Sequence, residues 1–97
     1  DKKSICSLYG IYGSEQSEYS IWNVNGIGNL QRQESPFSKN GRGLGIFDSN
    51  GDFKGHLHID NSETNEFSKL LNYAWLDAKQ SHSRTKQNFC KLMRQKT

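Results

Sequence analysis

No apolar run in the sequence approaches the ~20 consecutive residues that a membrane-spanning helix needs, so no segment is expected to cross a bilayer. There is no CxxC motif and no Cys-His cluster, which argues against a zinc site, and no metal or cofactor is expected. Proline occurs once, at Pro36, with no Pro-rich linker, no low-complexity tract and no evident internal repeat. Residues 1–97 therefore read as a single domain. Hydrophobic residues make up only 32% of the chain, and a chain this short buries a small share of its surface, so the core is lean.

Cysteine is nearly as scarce as proline. Cys6 and Cys90 are the two present, one near each end. A bond between them would close a loop of about 85 residues and contribute about 4–5 kcal/mol by chain entropy, comparable to the net stability of a small domain. Spacing alone leaves open two unpaired thiols in a cytosolic protein. The start, Asp1-Lys2-Lys3-Ser4, has no apolar character and, with the terminal cysteine pair, reads as a secreted chain after signal removal.

Net charge is +3, but residues 79–97 hold Lys79, Arg84, Lys86, Lys91, Arg94 and Lys96 with no acid, which leaves the remainder net acidic. Such a tail can follow phosphate backbones or anionic membrane surfaces, or simply form a solvated face.

Along the chain, Ser7 to Gly13 alternates like a short strand. Ser14-Glu15-Gln16-Ser17-Glu18 resembles a helix N-terminus, and Ile21, Val24, Ile27 and Leu30 follow at spacings of three, predicting a helix over about 17–32. Gly26, Gly28 and the asparagines oppose it. Residues 34–43 around Pro36 read as a loop. Two alternating runs flanking Asn50-Gly51 predict an antiparallel hairpin with a type I′ turn over 45–60. In residues 63–79, Phe67, Leu70, Leu71, Ala74, Trp75 and Ala78 form a helical stripe, although Leu71, Tyr73 and Trp75 also alternate. His82 to Cys90 reads as an edge strand.

His56 and His58, two apart on one predicted strand, would share a face, with Asp60 next in the series and Leu57 and Ile59 opposite. That pattern suits a metal, or an acid and base for RNA cleavage, and equally any half-buried strand with histidines on its polar side. Glu63, Arg42 and Arg84 supply the remaining residue types a ribonuclease needs. The tyrosines Tyr9, Tyr12, Tyr19 and Tyr73, with Trp22, Phe37 and Trp75, offer rings for bases or for packing.

In layout the chain resembles the secreted fungal ribonucleases of the T1/F1 type and the ribonuclease-like effectors of powdery mildew fungi. The features that carry this are Cys6 near the start, a helix-like segment, the isolated Pro36, antiparallel strands and Asn88-Phe89-Cys90 near the end. The resemblance implies an α+β fold, with one helix at about 17–32 packed on an antiparallel sheet, a last hairpin of residues 71–77 and 82–89, and a bonded Cys6–Cys90 pair. The family's catalytic Tyr, His, Glu, Arg and second His cannot be placed here. Ser35-Pro36 stands where a Tyr-Pro pair is usual, and Ser4-Ile5-Cys6 lacks the aromatic of the mildew effectors. No catalytic residue is therefore assigned.

The reading implied is a secreted, non-catalytic virulence effector that enters a host cell as a monomer. It would bind a host protein or RNA without membrane contact, and a plant immune receptor could recognise it. Arg42, Lys54, His56, His58, Arg84 and Lys86 are the expected contacts. Two alternatives remain. Leu70-Leu71, Ala74 and a strand into Cys90 also resemble the OB-fold, glycan-binding B subunits of bacterial toxins; an active ribonuclease toxin would use His56 or His58. A main helix before residue 33 favours the ribonuclease layout, and a helix at 63–79 favours the B subunit.

Overall fold

A computed structural model of the chain describes residues 4–60 and 65–95. Glu63 lies outside them. Their order is a coil of turns, strand β1 (Leu44–Phe47), strand β2 (Phe53–Leu57), helix α1 (Glu66–Asp77) and helix α2 (His82–Gln95). The α+β class and the terminal disulfide hold, while the elements beneath that class differ from expectation in several places.

The first is the segment predicted to be a helix. From Ser14 to Gly41 every third amide donates to the carbonyl three residues back: Ser17 to Ser14, Ser20 to Ser17, and so on through Gly41 to Ser38. The residue at each corner is Ser, Asn or Gly, with Arg32 the exception. Corner side chains take the amide two residues on, as Ser14 does from Gln16, Ser17 from Tyr19, Ser20 from Trp22, Asn29 from Gln31 and Ser35 from Phe37. This is why the three-residue apolar spacing makes no helix. Ser and Asn side chains claim amides that a helix would need for its own ladder, and the chain closes a turn at each corner instead. The predicted strand at 7–13 is likewise a run of turns.

The coil also contains an internal repeat, contrary to expectation. Residues 18–28 recur as 33–43. Ile27 N donates to Glu18 O at 3.1 Å, and Arg42 N donates to Gln33 O at 2.7 Å. Ser20, Trp22, Gly26 and Gly28 answer to Ser35, Phe37, Gly41 and Gly43. A Cβ on Gly26 would stand 2.7 Å from Glu18 O, and one on Gly41 2.4 Å from Gln33 O, so both sites admit only glycine. Pro36 replaces Ile21 at the turn position proline favours, and its carbonyl accepts from Ile59 N at 2.9 Å.

The hairpin is present and antiparallel, pairing Leu44 with Leu57 and Phe47 with Phe53. Its turn is not type I′, because only Gly51 has positive φ, at 84°. Asp48 instead closes a three-residue loop: its carbonyl accepts from Gly51 N, and its carboxylate accepts from Asn50 N and Asp52 N. A bulge at Gly55, φ 107°, then shifts the register between the two ends of the ladder.

Residues 66–77 are helical, as their apolar stripe requires, so the hairpin of 71–77 with 82–89 implied by the ribonuclease resemblance is absent. Asn65 caps α1 by accepting from Ser68 N at 2.9 Å. Lys79 and Gln80, both at positive φ, end it, and Gln80 N returns to Trp75 O at 2.9 Å. The expected edge strand at 82–90 is α2, begun at Ser81, whose hydroxyl accepts from Arg84 N. Its alternation was too weak to compete with a stripe of His82, Thr85, Lys86, Phe89 and Cys90 that all lie buried. Among the described residues no helix precedes residue 33 and two helices follow the hairpin, so the fold departs from the one-helix T1-like layout. The OB-fold alternative fails differently, since the described residues form a two-stranded sheet with α2 in place of the strand into Cys90.

The core gathers Ile21, Trp22, Phe37, Leu57, Ile59, Leu71, Ala74, Trp75, Phe89 and Cys90. Phe37 stacks on Trp75 with ring centres 4.3 Å apart and lies 6.1 Å from Trp22. The two repeats thus each send one ring into the same core.

Candidate functional site

Turns built on Ser, Gly and Asn invert the usual arrangement. The corners Gly13, Ser20, Gly26, Ser35 and Ser38 are buried, and the residues between corners project. Ile21-Trp22 and Pro36-Phe37 project inward and are buried, and Ile5, Cys6 and Ile27 pack partly against the same core. Elsewhere the tips face water: Leu8 is 71% exposed, Tyr9 92%, and Ile11, Tyr12, Tyr19, Val24 and Leu30 are all exposed. Leu8, Tyr9, Ile11 and Tyr12 fall within five residues on adjacent turns, an apolar rim that no neighbouring element covers.

That rim is held rigidly at both ends. Lys86 Nζ donates to Ser7 O at 3.0 Å and to Gly13 O at 2.6 Å, so one buried ammonium pins the two ends of residues 7–13 to α2. The Cys6–Cys90 disulfide, Cα–Cα 5.8 Å, fixes the residue before it. Trp22 Nε1 donates to Ile5 O at 2.6 Å.

The six expected contact residues do not converge. Lys86 and His58 are buried. His58 Nε2 donates to Ser38 O at 2.5 Å, and its amide donates to Ser68 Oγ. Leu57, His58 and Ile59 are buried in succession because the chain leaves β2 at Leu57 and enters the core, so His56 and His58 do not share a polar face. His56 sits half-buried, its ring edge-on to Phe53 at 5.1 Å. Lys54 lies 3.6 Å from the Asp48 carboxylate at the hairpin. Arg42 and Arg84 are exposed, on the coil and on α2. His82, the third histidine, is buried, with Nε2 donating to Gly28 O at 2.7 Å. A carbonyl oxygen can only accept, so Nε2 of each buried imidazole is the donor and ties its element to the coil.

Of the rings considered for stacking, Trp22, Phe37 and Trp75 belong to the core, and Tyr9, Tyr12, Tyr19 and Tyr73 are exposed. A groove of about 340 Å³ beside Trp75, edged by Lys39, Asn72 and Gln80, is shallow. A more apolar one of about 410 Å³ lies between the hairpin and α1, at Phe47 and Phe67. Among the described residues no group of three His, Cys, Asp or Glu side chains could hold a metal ion. None of their helices is long and apolar enough to cross a membrane.

The rim went unnoticed in the sequence because its residues read as strand and helix faces. The Ser, Asn or Gly at every third position was the signal that these side chains point outward. No protein-family model matches the chain, and neither a curated protein nor a solved structure matches it.

Proposed function

We propose that this chain is a secreted, non-catalytic binding domain whose working surface is the apolar rim of residues 8–12. The observation that carries the reading is the exposure of Leu8, Tyr9, Ile11 and Tyr12 in a chain with so little hydrophobic residue to spare. Side chains of this kind contribute about 1.5–3 kcal/mol each when buried, and exposed apolar clusters mark contact surfaces. The rigid ends at Ser7 and Gly13 support the same reading, since a pre-ordered surface loses little entropy on binding. A disulfide joining the two cysteines fits an oxidising compartment.

An acid-base role for His58 has no support here, because its ring is committed to Ser38 O. The narrower reading, a virulence effector acting inside a host cell and met by an immune receptor, has no residue of its own behind it. The rim is tested by the variant Leu8→Ser/Tyr9→Ser/Ile11→Ser/Tyr12→Ser. Its unfolding free energy should stay within about 0.5 kcal/mol per site, as at other exposed positions, while retention on a hydrophobic-interaction column drops sharply. A variant that unfolds would show that these side chains pack within the protein, and unchanged retention would remove the rim as a surface.

A further inference from the structure

Helix α1 ends on residues where glycine would be the easier choice. Lys79 and Gln80 stand at φ 53° and 64°, in the left-handed region that disfavours side chains. Backbone strain of this kind collects at sites where a particular side chain is needed. Gln80 lines two hollows beside Trp75. One, of about 340 Å³, is edged also by Lys39, Asn72 and Leu76, and the other, of about 170 Å³, by Leu30, Phe37 and Lys39. Lys39, Trp75 and Gln80 belong to both, so the hollows join into one shallow groove. Buried Trp75 and Phe37 form its floor, and exposed Leu30 and Leu76 its apolar edges. The polar groups around that floor are unengaged. Among the described residues, neither the Lys39 ammonium nor the carboxamide of Asn72 or Gln80 bonds to another group. Asp60, which also lines the groove, has a partner already.

We infer that this groove binds an extended peptide that carries an acidic residue between apolar ones. No residue of the rim at 8–12 lines it, so it is a second contact site and stands apart from the reading above. Charge complementarity names the acid. Lys39 is the unpaired cation of the groove, and a carboxylate is the partner that makes the stronger, charge-assisted bond with it. The carboxamides name the backbone. Each sets an N–H donor beside a carbonyl acceptor, the same pair of groups that a peptide unit presents. Asn72 and Leu76 lie one turn apart on α1, with Gln80 four residues beyond, so amide, apolar and amide groups alternate along the groove. A sugar suits it less, because Trp75 is only 2% exposed and shows no ring face on which a sugar could stack.

The test titrates the full, oxidised chain with N-acetyl-Leu-Glu-Leu-amide and follows the side-chain amide NMR signals of Asn72 and Gln80. Both signals are expected to shift and saturate. N-acetyl-Leu-Gln-Leu-amide should bind about tenfold more weakly, the loss that goes with a hydrogen bond to a charged group. Lys39→Ala should remove the difference between the two peptides. Gln80→Gly should raise the urea midpoint by relieving the left-handed backbone, and weaken the Glu peptide about fivefold. The inference is overturned by unmoved Asn72 and Gln80 signals, or by equal binding of the two peptides to the unaltered protein. A Gln80→Gly variant with a lower midpoint, or with undiminished binding, also overturns it. Tighter binding of a galacturonate trimer than of the Glu peptide would do the same, by giving the groove to an acidic sugar.

Discussion

Replacing both cysteines, as Cys6→Ser/Cys90→Ser, is expected to lower the unfolding free energy by about 4–5 kcal/mol, most of what a lean domain has. The bond spans 84 residues of sequence and so constrains nearly the whole unfolded chain. It also sits where the fold has little else. The coil of residues 4–43 has no sheet ladder and no helix; its corner hydroxyls satisfy its own amides, which gives each turn its shape but fastens none of them to the core. Near the N-terminus, attachment depends on the disulfide, on Lys86 reaching Ser7 O and Gly13 O, and on Trp22 reaching Ile5 O. Urea unfolding of the oxidised protein, the reduced protein and the double serine variant measures the effect, and the last two should coincide. A loss below about 1 kcal/mol would mean that the bond closes a contact already secured by packing.

Trp22→Ala and Phe37→Ala should each cost about 3–5 kcal/mol, the range for deleting a large buried ring. The two rings occupy equivalent places in the repeat of 18–28 and 33–43, are 1% and 2% exposed, and meet at 6.1 Å. Trp22 also contacts Phe89, and Phe37 contacts Trp75 and His82. Because the rings touch, the double variant should cost less than the sum. Val24→Ala provides the contrast. It shares the predicted helical stripe with Ile21, yet Val24 is 54% exposed, and its loss should stay within about 0.5 kcal/mol. Chemical denaturation of the four variants reads all of these differences.

The elements set by local chemistry were legible in the sequence. Asp48 to Gly51 marks a hairpin turn whichever type forms, and the stripe from Phe67 to Ala78 needs a helix to place Leu71, Ala74 and Trp75 on one side. Two cysteines, one near each end, marked the candidate pair without fixing that it is bonded. Less legible was anything that depends on side chains bonding to backbone. Ile21, Val24, Ile27 and Leu30 have helical spacing, but Ser20 and Asn23 take the amides of Trp22 and Asn25, and the spacing of three becomes the period of the turns. The resemblance to ribonucleases then compounded the error, exchanging the correct helix at 66–77 for a hairpin. Among the candidate contacts, Lys86 and His58 were misjudged because a polar residue type does not reveal a backbone carbonyl waiting in the core. Only the fold brings Ser7 and Gly13 to Lys86, and Ser38 to His58.

The central claim is that residues 4–43 form a coil of turns in which Ile21, Trp22 and Phe37 point into the core while the other large apolar tips, Leu8, Tyr9, Ile11, Val24 and Leu30, point outward. Paramagnetic relaxation by a soluble gadolinium chelate tests it most directly through side-chain NMR signals. Leu8, Tyr9, Ile11, Val24 and Leu30 should broaden strongly, and Ile21, Trp22 and Phe37 should be spared. An amphipathic helix over 17–32 would instead protect Ile21, Val24 and Leu30 together, and that result would contradict the account.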